Sequence, residues 1–205
     1  SKPTSETMNK LLKFLLFIAS AMLSFSLFAY ENMHDKTPVG KIVVLELPVR
    51  MAMEASTDKS YFSENNGLFR KLFRYINQND ISMTSPVESY TNPGKMSFFF
   101  GKKDLSRKIE SSDQVQIRKI PPRKVVSIGI RGSYSEKKFL DNVSRLTQWL
   151  DQNTTFEPDG APYGVYWNGP FIPGPFKRSE IHIPIRRIKI QPANKQSQPK
   201  SPKQP

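Results

Sequence analysis

The chain reads as one structural unit written twice, and that repetition limits the folds open to it. The first copy opens with a strand over Lys41 to Leu47, a Pro48-Val49-Arg50 corner, and a second strand over Met51 to Ser56. Its counterpart runs from Val115 to Ile120, turns at Pro121-Pro122-Arg123, and continues from Lys124 to Arg131. Each pair leads through an aromatic-Ser-Glu step, at Ser63-Glu64 or Ser135-Glu136, into an amphipathic helix. On the first helix Leu68, Phe69, Leu72, Phe73 and Ile76 make a broad apolar face, with Arg70, Lys71 and Arg74 on the other side. On the second the apolar positions are Phe139, Leu140, Val143, Leu146, Trp149 and Leu150, and Ser135 suits the N-cap. Two strands follow each helix: 81–90 with 95–100, joined at Asn92-Pro93-Gly94, then 162–168 with 180–186. Strand-strand-helix-strand-strand, twice, predicts an α+β fold, an antiparallel sheet or distorted β-barrel flanked by two helices. The two modules span 41–100 and 114–190 within a domain of 41–190.

The ends differ from this middle. Residues 1–29 read as an extension followed by an export signal or an uncleaved anchor. Lys10 and Lys13 supply the positive end, Phe14 to Phe28 the apolar run, and Ala29 a small residue at the cut. Leu27 fits the small-x-small cleavage rule poorly, which keeps an anchor, and with it membrane association, as the alternative. Either version places the folded part outside the cytoplasm, in the periplasm or cell envelope. Residues 30–40 form a loose lead-in, and 191–205 a disordered basic Pro/Gln tail.

The net charge of +13 comes from 31 basic and 18 acidic residues. It is most one-sided at the two ends, where 1–29 and 187–205 together hold a single acidic residue, Glu6. Between them Lys and Arg are interspersed with acids rather than massed in a stripe with aromatics, which argues against a specific nucleic-acid site. The absence of cysteine excludes disulfides, a thiol nucleophile and thiolate metal ligation. No Gly-x-Ser-x-Gly, His-Glu-x-x-His or Gly-rich phosphate loop occurs. With two histidines, zinc or a Ser-His-Asp triad has little to draw on, so no metal site is expected.

Several blocks carry a family likeness. Leu68-Phe69-Arg70-Lys71-Leu72-Phe73-Arg74-Tyr75-Ile76 runs into Met83-Thr84-Ser85-Pro86-Val87, and later come Arg131-Gly132-Ser133-Tyr134-Ser135-Glu136, Tyr166-x-x-Gly169-Pro170-Phe171 and Lys177-Arg178-Ser179-Glu180-Ile181. Together these resemble the SOUL haem-binding family, itself similar to bacterial effector-binding domains of the gyrase-inhibitory type. The resemblance implies two modules related by a pseudo-twofold axis, and weak binding of haem or another tetrapyrrole by a monomer. An apolar patch near the first helix would contact the ring, with Leu68, Leu72, Met51, Met53 and Met83 as candidate wall. Arg70, Lys71 and Arg74 would meet its carboxylates. Each of these Met and Leu residues also reads as ordinary core.

Axial ligation has little support in the sequence. His34 lies in the lead-in and reads as a mobile surface residue. His182 alternates with Ile181 and Ile183 on a strand, which makes it solvent-facing or part of a polar concave surface. Many SOUL relatives hold haem loosely without a ligating histidine. A second reading comes from the effector-binding relatives, which place a carboxylate on the last strand toward a groove. Here that is Glu180, with Tyr163, Tyr166, Trp167, Phe171 and His182 around it, to bind or hydrolyse small cationic or electrophilic compounds. Against this, Glu180 reads as a structural carboxylate paired with Arg178, Arg186 or backbone amides. A third reading is a ligand-free interaction module. The stiff 168–176 loop is either a lip of the groove or a rigid crossover.

Overall fold

The computed structural model describes residues 31–169 and 171–188, so the signal or anchor segment and the basic tail lie outside the described residues. Within them two helices pack on one curled antiparallel sheet that forms a half-barrel. Strands β1 (Glu31–Asn32), β2 (Ile42–Leu47) and β3 (Arg50–Ser56) precede helix α1 (Tyr61–Gln78). Then come β4 (Thr84–Ser85), β5 (Val87–Tyr90), β6 (Lys95–Phe99) and β7 (Gln116–Ile120). The second half holds β8 (Arg123–Arg131), helix α2 (Glu136–Asp151), β9 (Phe156–Pro158), β10 (Tyr163–Tyr166) and β11 (Arg178–Arg187).

The sheet order β2-β8-β11-β10-β5-β6-β3-β7 reads the same from either end once the modules are exchanged. Each module gives its first strand to the other, β2 pairing with β8 and β7 with β3. The modules meet where β5 pairs with β10, at Val165 opposite Glu88. The repeat in the sequence is therefore a symmetric, strand-exchanged sheet. Pro86 lacks an N–H to donate and divides the 81–90 strand in two. Thr84 and Ser85 pair in parallel with Glu31 and Asn32, while Val87 onward joins the main sheet.

Helix α1 begins at Tyr61, earlier than the apolar 68–76 block, because Ser60 caps it by accepting from the Phe62 amide. Ser135 caps α2 in the same way, through the Lys138 amide. The inner face of α1 (Leu68, Leu72, Tyr75, Ile76) packs with Met53, Ala55 and Phe98 of the sheet. Phe139, Leu146 and Leu150 of α2 pack on Val126, Ile128, Ile181 and Ile183. Leu140, expected on that apolar face, is 55% exposed. Leu68, Leu72 and Met53 are at most 1% exposed, so they are core residues and not the ligand wall proposed for them. Met51 is half-buried against the same cluster.

The lead-in is not loose. Besides the β1–β4 pairing, Val39 bridges Gly129, and Thr37 is 1% exposed. This strap lies against the β8–β11 half of the sheet and closes part of its polar interior.

Candidate functional site

Alongside α1 a groove of about 380 Å³ opens between the modules. Its first-module wall is Tyr61, Asn65, Asn66, Phe69 and Phe73 of α1, with Met83, Thr84, Ser85, Val87 and Met96 from the strands. Tyr134, Tyr166, Trp167, Asn168, Gly169, Phe171 and Lys177 supply the other wall. The 168–176 loop is thus a lip of the groove, and Phe171 on it is 95% exposed. Exposed aromatic surface of this kind, rimmed by polar groups, makes the groove the candidate interaction site.

The aromatic groups are held in place. Phe69 and Phe73 stack at 5.7 Å, and Tyr61 stacks on Tyr166 across the modules at 5.9 Å. The Tyr134 hydroxyl donates to the Arg178 carbonyl at 2.9 Å and accepts from the Asn168 amide at 3.1 Å. The Ser85 hydroxyl donates to the Trp167 carbonyl at 3.1 Å, tying the two walls together. Burial pushes the Tyr134 and Tyr166 phenols up to about 12, so both stay protonated at neutral pH.

Cations sit at both ends. Phe69 and Phe73 also wall a shallow depression shared with Arg70, Arg74, Asn77 and Gln78. Lys177 lies at the opposite rim, its Nζ 5.0 Å from the centre of the Tyr134 ring. Among the described residues none of Arg70, Arg74 and Lys177 forms an ion pair with a carboxylate. Lys71 is half-buried on α1 and lines neither depression. Of the residues expected to hold a ligand, the structure therefore brings Arg70, Arg74, Met83, Tyr166, Trp167 and Phe171 to one continuous surface. It does not bring Met51, Tyr163, Glu180 or His182 there.

Glu180 is 1% exposed and lies behind Trp167. It is a structural carboxylate that takes a backbone amide, as one of the expectations had it, but side-chain donors in place of Arg178 or Arg186. One carboxylate oxygen accepts from the Thr37 amide at 2.8 Å and the Trp167 indole N–H at 2.7 Å. The other accepts from the Thr37 and Ser127 hydroxyls at 3.1 and 3.2 Å, and meets His182 Nε2 at 2.8 Å. Arg186 instead pairs with Glu157, and Arg178 donates to the Thr37 carbonyl. Burial alone would raise the Glu180 pKa. The His182 hydrogen bond and charge, with the Thr37 amide, outweigh it and hold the carboxyl at about 2. A carboxylate so enclosed does not meet a ligand in the groove, which corrects the placement of Glu180 as its functional residue.

His182 is also fully buried rather than solvent-facing, with the Tyr163 hydroxyl 3.1 Å from its Nδ1. It belongs to the polar concave side of the sheet, while Ile181, Ile183 and Ile185 face α2. His34 is not a mobile surface residue either. Its ring meets Trp167 edge-on at 5.0 Å and lies 5.6 Å from the His182 ring. Near this cluster Arg50 and Arg123 both pair with the buried Glu88, a network the sequence reading did not identify.

Phe69 and Phe73 line the groove, whereas the sequence marked them only as apolar helix positions. A signal for them existed: five apolar positions on nine residues of α1 make a face too wide for one packing surface. Tyr134 and Lys177 lay within the family-like blocks but carried no expectation of their own.

The groove presents no histidine or phenolate donor. Neither histidine lines the groove, and burial keeps the three phenols that do, Tyr61, Tyr134 and Tyr166, protonated. Residues 42–184 match the family described as SOUL heme-binding protein. No curated protein matches the chain. Among solved structures it is similar to the EcmrR C-terminal domain, at 14% identity and TM-score 0.59 over 72% of this chain and 98% of that one. It is also similar to a hydrolase from Listeria innocua, at 11% identity and TM-score 0.52 over 73% of this chain and 94% of that one. At such identities the structural likeness shows a shared fold alone. The matched span, by contrast, covers most of the folded residues and both walls of the groove, and the chain belongs to the SOUL heme-binding protein family.

Proposed function

We propose that this protein binds haem or a related flat, apolar, anionic tetrapyrrole in the inter-module groove, weakly and without histidine ligation. The observation that carries the reading is an open groove with aromatic walls and cations at both rims. Phe69, Phe73, Met83, Tyr166 and Phe171 would contact the ring, while Arg70, Arg74 and Lys177 would meet its carboxylates. Arginine suits that role because its planar fork matches a carboxylate and is never deprotonated in a protein. Bound haem would supply its iron, and this chain's contribution is to shield one face of the ring and orient its acidic edge. The apolar run from Phe14 to Phe28 supports placing this binding at the cell envelope, as buffering or delivery.

Titration of haemin into the purified protein, followed at the Soret band, tests the proposal. A saturable one-to-one shift in the low micromolar range is expected, weakened in an Arg70→Glu/Arg74→Glu variant. Uptake that never saturates, or that matches an equal-charge control protein, would remove the assignment.

A further inference from the structure

Behind Trp167, the lead-in brings His34 to Glu180 and His182, which lie on β11 at the far end of the sequence. One ligand atom from each of the three lies within 4.8 Å of the others. From this geometry we infer a binding site for a divalent first-row transition ion of the zinc or ferrous class. His34 Nε2, His182 Nε2 and one Glu180 oxygen would be its protein ligands. Two imidazoles and one carboxylate are a donor set that these borderline ions favour over calcium or magnesium.

An independent observation points the same way. His34 Nε2 is buried and has no hydrogen-bond partner, whereas its Nδ1 lies 2.9 Å from the Asp35 carbonyl. A carbonyl can only accept, so Nδ1 carries the proton and the buried Nε2 keeps a free lone pair. A buried acceptor without a donor is costly, and a metal ion would satisfy it. Trp167 and the Thr37 amide occupy one Glu180 oxygen; the other meets His182 Nε2 at 2.8 Å and also accepts from the Thr37 and Ser127 hydroxyls at 3.1 and 3.2 Å. The Tyr163 hydroxyl sits 3.1 Å from His182 Nδ1, where its oxygen can accept the imidazole proton when Nε2 binds the ion. Such outer partners fix the tautomer of ligating histidines.

The ion must draw the donors together. Bonds of about 2.0–2.2 Å place ligand atoms roughly 3–4 Å apart. His34 stands on the half-exposed lead-in, so its side chain can supply that closure and mark the path from solvent. Glu180 and His182 would exchange their direct 2.8 Å contact for bonds to the ion.

The chain's composition makes the test clean: it has two histidines and no cysteine, so a protein without an affinity tag offers no other strong nitrogen or sulfur ligands. The full chain, freed of metal with a chelator, is titrated with Zn²⁺ against a chromophoric competitor and separately with Co²⁺. We expect one Zn²⁺ per chain, visible Co²⁺ absorption bands from an ordered nitrogen-oxygen site, and a metal-dependent rise in melting temperature. His34→Ala should weaken Zn²⁺ binding at least about ten-fold, the size seen when a supporting group of a metal site is lost, and abolish the Co²⁺ bands. Lys36→Ala, on the same strap, should change neither. Circular dichroism in chelator confirms that the variants are folded, and His34→Gln serves if the alanine variant is not. Substoichiometric binding to the wild type, or equal binding to the folded His34 variant, overturns the site. Haemin uptake is read separately, so this result and that of the groove titration can fail independently.

Discussion

On one side of Trp167 lies an open groove whose contacts are mostly apolar and whose cations have no carboxylate partners among the described residues. On the other, Glu180, His182, Thr37, Ser127 and His34 are packed into a polar cluster in which most donors and acceptors are matched. The two regions share a wall but differ in what they can release. An apolar surface left wet gains free energy when a ligand covers it, roughly 25 cal/mol per Å². A satisfied buried network gains nothing from a ligand that would break it, and it holds its surroundings in one arrangement. The difference is the ground for proposing tetrapyrrole binding on the outer side of Trp167, while on the inner side the unpartnered His34 nitrogen marks the inferred ion site.

The largest expected effect comes from removing the shared wall. Trp167→Ala deletes a 5% exposed indole and leaves Glu180 short of one donor, so stability should fall by about 3–5 kcal/mol in chemical denaturation. A loss below about 1 kcal/mol would show that the two regions are not coupled through this residue.

Core and groove separate next. Leu72→Ala, at a fully buried position beneath the groove, should cost about 2–5 kcal/mol of stability. Phe69→Ala/Phe73→Ala alters side chains that already meet solvent. It should leave most of the stability intact while weakening haemin binding about ten-fold or more. Equal haemin affinity in these two variants would erase the distinction between the faces of α1.

The inner cluster is sharpened by pH. The folded Glu180 pKa of about 2 lies below its ordinary 4.5, so the ionised form favours folding. That contribution is fully present above about pH 4.5 and is lost as pH falls through about 2. In chelator, Glu180→Gln should flatten the acid limb of the stability curve by an amount on the order of 3 kcal/mol across that window. An unchanged slope would contradict the ionised, hydrogen-bonded carboxylate. The smallest effect belongs to the rim: Arg70→Glu/Arg74→Glu should weaken haemin binding a few-fold at low salt, and less at high salt as the charges are screened.

Much of the fold was legible because it rests on local pattern. Alternation along β11, the Ser135 cap and the amphipathic spacing of both helices each had a reading in the sequence. The strand exchange was not legible, since nothing in β2 or β7 marks a partner in the other module. Nor was the role of the lead-in, because it has no long apolar run and gains its structure from Glu31, His34, Thr37 and Val39 meeting distant residues. For the site, Arg70, Arg74, Met83 and Phe171 came from family likeness, whereas Leu68, Leu72 and Met53 were drawn to the wall although their spacing equally fitted the core. Glu180 and His182 were correctly placed on one strand face. That the face is enclosed depends on the curl of the whole sheet and on a strap more than 140 residues away in sequence.

The most direct test of the account is the haemin dissociation constant of Phe69→Ala/Phe73→Ala beside that of the wild type, with folding checked by thermal melting. The account predicts about ten-fold or greater weakening with a largely preserved melt. An unchanged constant in a folded variant would place the ligand elsewhere and contradict the groove as the site.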